Sequence, residues 1–425
     1  MPAGQIAIGL TGQFGTGCTT VANYLQKEHA FRKYSLSDVV RAKLIEAIGN
    51  KKYDSLDGKS RRRLLQDKGN ELRKEKREYL AETIVDQIRK DKNFDKLLVI
   101  DSIRNTAEVE HLRSKLNNFY LVAVDSNANA RWARVKTAYE KDEGQFIKDD
   151  LRDKGENEPD YGQQTELCVL QADIVINNDK QIEDNAEEWK AFYKRIKEGY
   201  LDLMLDPGSR NPTHPELYMH QAYAISLSST CSKKRVGAII VDESRGSTQS
   251  YMVAGGCNNV PDKQLSCASL GGKITFCHKD DELAKCLKEV RFCPKCGKGV
   301  RYNASHPKYM ICPDAKCNAK ILTDFIPGRS LDVCRAVHAE EAAIIQAGKL
   351  GGTALEGTTM YTTTFPCLLC AKSIIDAGII KVVYREPYPM DDAVKMLTGS
   401  DVELIKYQGV NPWAFFKLYK SRIIQ

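Results

Sequence analysis

Short apolar runs alternate with longer amphipathic stretches along the first half of the chain. Buried strands are predicted for residues 6–11, 97–101, 119–125 and 173–177. Helical periodicity separates or follows these runs near residues 59–90, 106–116, 127–141 and 181–204. Because strands that alternate with helices form a parallel sheet covered on both faces, the pattern predicts an α/β domain over residues 1–205. Residues 142–161 are charge-dense with few apolar positions, which predicts a lid or a mobile loop.

A second pattern begins after residues 206–215, where Pro, Gly and Asn predict a domain boundary. A helix is predicted at about 216–229, followed by strands at 236–241, 251–255, 359–363 and 381–385. Two further helices are predicted to begin at His338 and near Cys367. This order predicts a mixed α/β/α sandwich over residues 213–425, interrupted by an insertion at about 262–330.

Composition narrows the class of protein. No apolar run approaches the ~18 residues of a membrane span, and the N-terminus has no basic segment typical of a signal peptide. Fourteen cysteines without such a signal predict metal sites and reduced thiols in a cytoplasmic protein. The net charge of +7 is compatible with anionic small ligands or RNA.

His338-Ala-Glu340 and Pro366-Cys367-Leu-Leu-Cys370 together predict a catalytic zinc site. A catalytic zinc keeps three protein ligands and leaves a fourth position for water, whose pKa it lowers toward roughly 7. His338, Cys367 and Cys370 are the predicted ligands, and Glu340 is the predicted proton carrier. Pro366 is expected in the first helical turn, with both cysteines on one face. The pattern is similar to that of zinc-dependent nucleobase deaminases; a structural zinc site or buried cysteines is the alternative.

The insertion contains a second group of cysteines, in a C-x₂-C-x₁₅-C-x₄-C pattern. Two short-spaced pairs of thiolates predict a closed, structural zinc ribbon. The ligands would be Cys293, Cys296, Cys312 and Cys317. A looser group has spacings that do not define ligands, so a further metal there stays open: Cys267, Cys277, His278 and Cys286.

A glycine-rich loop joins the first predicted strand to a helix, which is the context of a phosphate-binding P-loop. Its glycines let backbone N–H groups face phosphate oxygens. Cys18 stands where the pattern G-x-x-x-x-G-K-[ST] requires Lys, which makes efficient phosphoryl transfer doubtful. Thr19 and Asp101 could hold Mg²⁺, and Arg104 could contact a phosphate or be solvated. The predicted nucleotide-binding residues are Gly12, Gly15, Gly17, Cys18, Thr19 and Asp101. A glycine-rich turn without a ligand is the alternative.

Roughly residues 4–200 resemble the nucleoside-monophosphate and dephospho-coenzyme A kinases. Besides the loop, the resemblance rests on YSLSDVVR at 34–41 and IDSIRNTAEVEHLR at 100–113. It implies a parallel sheet of the P-loop kinase type, and Cys18 is its clearest departure.

Residues 215–410 closely resemble deoxycytidylate deaminases. The matching stretches are SSTCSKKRVGAIIVDE at 228–243, GGCNNVP at 255–261, CRAVHAEEAAIIQA at 334–347 and TTTFPCLLCAKSIIDAGIIKVVY at 362–384. The resemblance implies a cytidine-deaminase-like sandwich in which Asn258 contacts the deoxyribose or base. Arg335 is a candidate phosphate ligand, together with the cations at 233–235, and Tyr384 could stack on the base.

Nearly the whole chain is similar to bacterial antiphage dCTP deaminases, because a kinase-like domain precedes the deaminase domain. That resemblance implies conversion of dCTP, and also dCMP, to the uracil nucleotide and ammonia. It further implies a nucleotide or RNA regulator at the N-terminal domain, and a homo-oligomer such as a hexamer. Three alternatives remain: a metabolic dCMP deaminase fused to an active nucleotide kinase, a nucleic-acid cytidine deaminase, and a binding protein with an inactive deaminase fold.

Overall fold

The computed structural model describes residues 5–91, 96–156, 158–180, 186–244, 246, 249–271, 277–281, 290–301, 309–314, 316–317, 319–322, 334–349, 351, 354–387 and 391–422. The chain separates into two compact units. One comprises Met1–Leu217 and Tyr407–Gln425, and the other comprises Tyr218–Lys406. The C-terminal segment therefore belongs to the first unit, whereas the predicted domain boundaries place it with residues 213–406.

The first unit is built on a parallel sheet. Its strands are β1 (Ile6–Thr11), β2 (Arg32–Ser35), β3 (Leu97–Ile103), β4 (Phe119–Asp125) and β5 (Ile174–Asn177). Its helices are α1 (Cys18–Glu28), α2 (Leu36–Ile48), α3 (Asn50–Asp54), α4 (Gly58–Glu75), α5 (Tyr79–Lys90), α6 (Thr106–Lys115), α7 (Ala128–Val135), α8 (Glu143–Lys154), α9 (Thr165–Leu170), α10 (Ala186–Ile196) and α11 (Asp202–Leu205), with a π-helical turn, Lys197–Leu201, before the last. These strands lie in the order β5-β4-β1-β3-β2 and all pair in parallel.

The alternation of side chains along β1 explains the layers of this unit. Ile8 and Leu10 face a core that includes Val21 of α1, whereas Ala7 faces the opposite core, which includes Leu36 of α2. A strand that is buried on both faces carries a continuous apolar run, so the predicted α/β class is confirmed. β1 lies between β3 and β4, and the loop after it leaves the carboxyl edge of the sheet, where α/β proteins bind ligands.

The charge-dense segment predicted as a lid or mobile loop contains a regular helix, α8. Its buried side carries three carboxylates and one apolar residue, Phe146. Asp150 pairs with Arg131, Asp153 pairs with Arg104, and both carboxylates are buried. Apolar periodicity is the pattern that predicts a helix, so a helix that packs mainly through ion pairs has no such pattern in the sequence.

The second unit contains a mixed sheet and two small hairpins. Its strands are β6 (Gly237–Asp242), β7 (Tyr251–Cys257), β8 (Val290–Phe292), β9 (Gly299–Arg301), β10 (Tyr309–Ile311), β11 (Lys320–Leu322), β12 (Thr359–Thr364), β13 (Lys381–Glu386) and β14 (Glu403–Lys406). The helices of this part of the chain are α12 (His214–Ser226), α13 (Cys267–Gly271), α14 (Ala339–Lys349), α15 (Leu368–Asp376) and α16 (Asp391–Thr398). The main sheet has the order β14-β13-β12-β6-β7, with β12, β13 and β14 parallel and β6 antiparallel to both neighbours.

Helices cover both faces of this mixed sheet, which confirms the predicted sandwich. On one face Ile240 and Met360 pack with Ala343 of α14 and Ile374 of α15. On the other face the ring of Tyr218, in α12, lies 5.3 Å from that of Tyr361. The helix α14 approaches β7 so closely that a Cβ at Gly256 would lie 2.5 Å from the backbone nitrogen of Ala343.

The last residues return to the first unit through β15 (Gly409–Val410), α17 (Pro412–Tyr419) and a 3₁₀ turn, Lys420–Arg422. β15 pairs antiparallel with β5. Glu216 accepts hydrogen bonds from the backbone of Val410 at 3.0 Å, from Tyr419 Oη at 3.0 Å and from both Nη atoms of Arg210. Burial opposes the ionisation of Glu216, but these hydrogen bonds outweigh it and lower its pKa. A two-residue strand is too short for a sequence pattern, which is why the prediction missed this return.

Candidate active site

Two helix starts bring the predicted zinc ligands together. His338 immediately precedes α14, and Cys367 is the N-cap of α15. Cys370 is the third residue of α15. Pro366 therefore lies before the cap, not in the first turn as predicted, because the extended backbone of Cys367 delays the helix by one residue.

The three ligand atoms have the spacing of a tetrahedral zinc site. His338 Nδ1 lies 3.3 Å from Cys367 Sγ and 3.3 Å from Cys370 Sγ, and the two sulfurs are 3.6 Å apart. Zinc bonds of roughly 2.3 Å to sulfur and 2.0 Å to nitrogen would put tetrahedral ligands about 3.5–3.8 Å apart. The donor set and its geometry therefore fit Zn²⁺ with a fourth position left over.

Glu340 lies beside this group without being one of its ligands. It is the second residue of α14 and is 4% exposed. Its Oε1 is 3.2 Å from Thr362 Oγ1, and its Oε2 is 3.5 Å from Cys370 Sγ. Burial raises the pKa of Glu340, which suits a group that both takes and gives a proton near neutral pH.

Two residues that the sequence reasoning missed contact this centre. The hydroxyl of Thr362 also lies 2.9 Å from the carbonyl of Thr364, so it can donate to an ionised Glu340 or accept from a protonated one. Hydrogen bonds with Cys334 and Cys367 raise the pKa of His338 to about 10. The threonine-rich strand just before the Pro-Cys motif is the one sequence feature that could have indicated Thr362. No sequence feature distinguishes Cys334 from the other cysteines.

The polar side-chain atoms of Asn258, the residue predicted to contact the deoxyribose or base, are already hydrogen-bonded within the protein. Asn258 Oδ1 accepts from Ser229 Oγ at 2.7 Å and from the backbone of Val236 at 2.8 Å, and its Nδ2 donates to Lys234 O at 2.9 Å. Its side chain thus holds the loop that precedes β6. The deoxyribose or base contact of Asn258 stays a prediction.

Three of the predicted phosphate ligands and the predicted stacking tyrosine each have a partner within the protein. Arg335 donates to Gln264 Oε1 at 3.0 Å. Lys233 pairs with Asp280, and Lys234 pairs with Glu386, so the cationic rim is partly neutralised. Tyr384, on β13, is half-buried with its ring 4.8 Å from that of Phe365.

The four ribbon cysteines also converge. Cys293 Sγ lies 3.7 Å from Cys317 Sγ, Cys296 Sγ lies 3.4 Å from Cys312 Sγ, and all four sulfurs are within 4.8 Å of one another. They connect the hairpins β8–β9 and β10–β11. Four thiols at this spacing fit a closed tetrahedral zinc site with no position for water.

The looser cysteine group does not converge in the same way. Among the described residues, Cys267, Cys277 and His278 belong to no group with metal-ligand spacing. Cys286 lies outside the described residues. Cys267 and Cys277 instead line a small cavity of about 20 Å³ with Cys231 and Cys334.

The glycine loop connects β1 to α1 as predicted. Gly15 and Gly17 adopt φ values of 84° and 103°, in the left-handed region that favours glycine. A Cβ at Gly12 would lie 2.2 Å from the carbonyl of Val124. Thr19 Oγ1 donates to Asp101 Oδ2 at 2.8 Å, so the two predicted Mg²⁺ ligands are in contact.

Cys18 supplies no charge to this loop. It is half-buried, with Sγ 3.5 Å from Thr16 Oγ1 and its side chain packed against the core. Desolvation and the Asp101 carboxylate raise the pKa of Cys18 to about 12. A neutral thiol therefore occupies the position where the P-loop pattern requires a lysine ammonium.

One N–H group of the loop already has an anionic partner. Phe14 N donates to Asp153 Oδ2 at 2.8 Å, and the same carboxylate pairs with Arg104. Arg131 and Arg134 donate to the carbonyls of Phe14 and Gly15. Arg104, predicted as a phosphate contact or a solvated charge, is instead held in an ion pair.

The comparisons with known proteins assign a family likeness to each part of the chain. Residues 212–386 match the cytidine and deoxycytidylate deaminase zinc-binding region, and residues 8–158 match an AAA domain. The deoxycytidylate deaminase of Schizosaccharomyces pombe is 27% identical over 239 residues, which are 56% of this chain and 54% of that protein. That of Saccharomyces cerevisiae is 26% identical over 197 residues, 46% of this chain and 45% of that protein. The chain thus spans about half the length of these relatives.

The dCMP deaminase from the cyanophage S-TIM5 in apo form shows 22% identity and a TM-score of 0.27, covering 45% of this chain and 96% of that one. Within the described ranges, no helix combines the length and the apolar character needed to cross a bilayer.

Proposed function

We propose that this protein is a zinc-dependent deaminase of deoxycytidine nucleotides. It would hydrolyse dCTP, and also dCMP, to the deoxyuridine nucleotide and ammonia. The observation that carries the proposal is the buried Glu340 carboxylate beside a His338–Cys367–Cys370 group with zinc-ligand spacing. The match of residues 212–386 to the deaminase zinc-binding region supports the same chemistry.

The residues of the chain divide the reaction between them. Zinc, when bound by His338, Cys367 and Cys370, supplies the Lewis acidity that activates water. Glu340 takes one proton from the attacking water and gives it to N3 of the cytosine ring, and it then takes the second proton from the C4 hydroxyl and gives it to the departing amine. Water adds at C4 and the C4–N4 bond breaks, so the products are a uracil ring and ammonia. Thr362 holds Oε1 of Glu340 in both protonation states.

The substrate is proposed to lie beside the loop that Asn258 holds. Arg335 and the cations at 233–235 would contact the phosphates, and Tyr384 would stack on the base. The resemblance of the chain to antiphage dCTP deaminases supports dCTP as a substrate. The resemblance to antiphage enzymes supports a role in depleting dC nucleotides in the cytoplasm of a phage-infected cell.

The first unit is proposed to sense a ligand instead of transferring phosphate. The neutral Cys18 thiol and the engaged Phe14 N–H support this division. A nucleotide with Mg²⁺ at Thr19 and Asp101, or an RNA, would then regulate the deaminase unit, in a homo-oligomer such as a hexamer. Robust ATP-dependent phosphorylation of a nucleotide by the purified full-length protein would contradict this part of the proposal.

Ammonia release from purified, zinc-loaded protein tests the activity. The substrates are dCTP, dCMP, CTP, deoxycytidine and single-stranded DNA. Release with dCTP or dCMP is expected, and Glu340→Ala should reduce kcat by about 10²–10⁴-fold because the proton carrier is lost. Glu403→Gln, an exposed carboxylate of β14, is the matched control and should behave as wild type. Ammonia from DNA alone, or activity that survives Glu340→Ala, would overturn the proposal.

A further inference from the structure

The strand β12 carries four threonines, and the hydroxyls of the first three have partners within the protein. Thr359 Oγ1 donates to Glu243 Oε2 at 2.7 Å, and Thr363 Oγ1 accepts from the backbone nitrogen of Gly237 at 3.2 Å. The hydroxyl of Thr362 contacts the proposed proton carrier. These pairings are what is expected of buried polar groups, which are nearly always hydrogen-bonded.

Thr364, the last residue of this strand, is the exception. It is 7% exposed, and its Oγ1 has no hydrogen-bond partner in the described part of the chain. A hydroxyl offers one donor and two acceptor lone pairs, and burying it without a partner costs stability. A bound molecule that supplies the partner would offset this cost.

The alternation of side chains along β12 shows which way the Thr364 hydroxyl faces. Residues two apart lie on the same face of a strand. Met360 packs with Ala343 of α14, and Thr362 contacts Glu340 of the same helix. Thr364 is the next residue on this face, which is the side of the two helix starts that carry the candidate zinc ligands and the proton carrier.

The order of residues along the chain places Thr364 between the proton carrier and a candidate metal ligand. Thr362, beside Glu340, precedes it by two residues, and Cys367 follows it by three. The next residue, Phe365, is 5% exposed, so the end of the strand is shielded by an aromatic ring. A hydrogen bond in such surroundings is stronger than one in water.

The cytosine ring presents its groups in a matching order. In the proposed reaction N3 takes a proton from Glu340, and the neighbouring C4 takes the water and carries the exocyclic amine. This amine has two N–H donors, of which one points toward N3 and the other toward C5. Glu340 can serve the first donor, so the second needs another acceptor. Because Thr364 lies beyond Thr362 in the direction of Cys367, its hydroxyl is on the C4 side of N3.

We propose that Thr364 Oγ1 accepts a hydrogen bond from the exocyclic amine of the cytosine nucleotide. The hydroxyl holds the amine until the second proton from Glu340 makes it a leaving group. After the reaction C4 carries a carbonyl, and the same hydroxyl rotates to donate to O4. This inference rests on the proposed deamination and assigns to it a residue that reads the substituent at C4.

Kinetics and ligand binding of the full-length, zinc-loaded protein test this contact. The ligands are dCMP, dUMP and the deoxyribonucleotide of pyrimidin-2-one, which has only hydrogen at C4. Thr364→Val keeps the shape of the side chain and removes the hydroxyl. It should lower kcat/KM for dCMP, and the affinity for dUMP in equilibrium dialysis, by about tenfold each. The affinity for the pyrimidin-2-one nucleotide should not change. Thr364→Ser should recover most of the loss, and Thr398→Val, which changes an exposed threonine of α16, is the matched control.

Thermal unfolding without ligand gives a readout that does not depend on activity. Thr363→Val removes the acceptor of the Gly237 N–H and should lower the unfolding midpoint. Thr364→Val removes a hydroxyl that has no partner in the described part of the chain, so its midpoint should equal or exceed that of wild type. A midpoint below that of wild type would overturn the proposal, because the hydroxyl would then have its partner in the protein itself.

The outcomes separate this contact from the proposed function. If wild type releases no ammonia from dCMP or dCTP, the proposed function fails and this inference fails with it. If wild type is active but Thr364→Val weakens all three ligands equally, or none of them, only the contact of Thr364 is contradicted. A loss confined to dCMP and dUMP, with recovery in Thr364→Ser, would support it.

Discussion

Cys18 and Cys367 occupy the same local position in two different units. Each follows a sheet strand, and each stands at the start of a helix, Cys18 as the first residue of α1 and Cys367 as the cap of α15. Their thiols are nevertheless opposite in character. Desolvation and Asp101 raise the pKa of Cys18 to about 12, whereas a hydrogen bond with Cys370 and contact with His338 lower that of Cys367.

The helix start does not decide the chemistry of these cysteines. A helix N-terminus favours thiolate by a similar amount in both places. The difference in pKa comes from the surroundings: burial and then the Asp101 carboxylate raise the pKa of Cys18, whereas a second thiol and an imidazole lower that of Cys367. The same strand–loop–helix arrangement therefore produces a neutral packing group in one unit and a candidate metal ligand in the other.

Replacing Cys18 and Cys367 in separate variants is the most direct test of this contrast. Cys367→Ser should abolish deamination and lower the zinc content by about one equivalent per chain, because a hydroxyl is a poor zinc ligand. Cys18→Ser should leave both unchanged, since Cys18 contacts no metal group. Zinc is measured by inductively coupled plasma mass spectrometry and activity by ammonia release. Equal zinc loss in the two variants would show that the contrast between the sites is wrong.

In the zinc ribbon, each of the four candidate ligand cysteines has only other cysteines as its candidate co-ligands. Cys296→Ser should lower the zinc content by about one equivalent and make residues 290–322 sensitive to proteolysis, because so small a module has little apolar core. The described core there consists of Val300 and Ala319 beside the cysteines. Deamination should fall less than with Cys367→Ser. Complete loss of activity with intact catalytic zinc would instead assign the ribbon a direct role.

The sequence predicted well what depends on short-range pattern. The candidate zinc ligands could be selected because His338, Cys367 and Cys370 each stand at a recognisable helix start, and the structure brings their side chains together. The strand β1 could be predicted because it is a continuous apolar run. The helix α8 was missed because three of its four buried residues are aspartates. The return of β15 and α17 was missed because the hydrogen bonds of Glu216 join residues far apart in sequence.

The partners of side chains near the candidate zinc site also depend on contacts between residues far apart in sequence. Asn258 was predicted to face the nucleotide, yet its polar atoms bond to Ser229, Val236 and Lys234. Thr362 was not singled out, yet it touches Glu340. A motif identifies the residue types that chemistry needs, whereas the partners of each side chain follow only from the packing of distant strands.

Thr362→Val sharpens the comparison by changing a neighbour instead of a ligand. It removes the hydroxyl beside Glu340 Oε1 and keeps the shape of the side chain. We expect kcat to fall by about 2–10-fold, the value of one hydrogen bond, with zinc content unchanged. Thr362→Ser restores the hydroxyl and should recover most of the activity. A loss as large as that of Glu340→Ala would mean that Thr362 does more than position the carboxylate.

The smallest effect concerns the reactivity of Cys18. With a pKa of about 12, only about one thiol in 10⁴ is ionised at pH 8, compared with roughly a quarter of ordinary free thiols. Because the folded pKa is raised, ionisation and alkylation should increase about tenfold for each pH unit up to about 11. Mass spectrometry after iodoacetamide treatment of the folded protein should therefore find Cys18 almost unlabelled at pH 8. Asp101→Asn removes the carboxylate that raises this pKa, so it should speed labelling of Cys18, whereas unchanged labelling would leave desolvation as the whole cause.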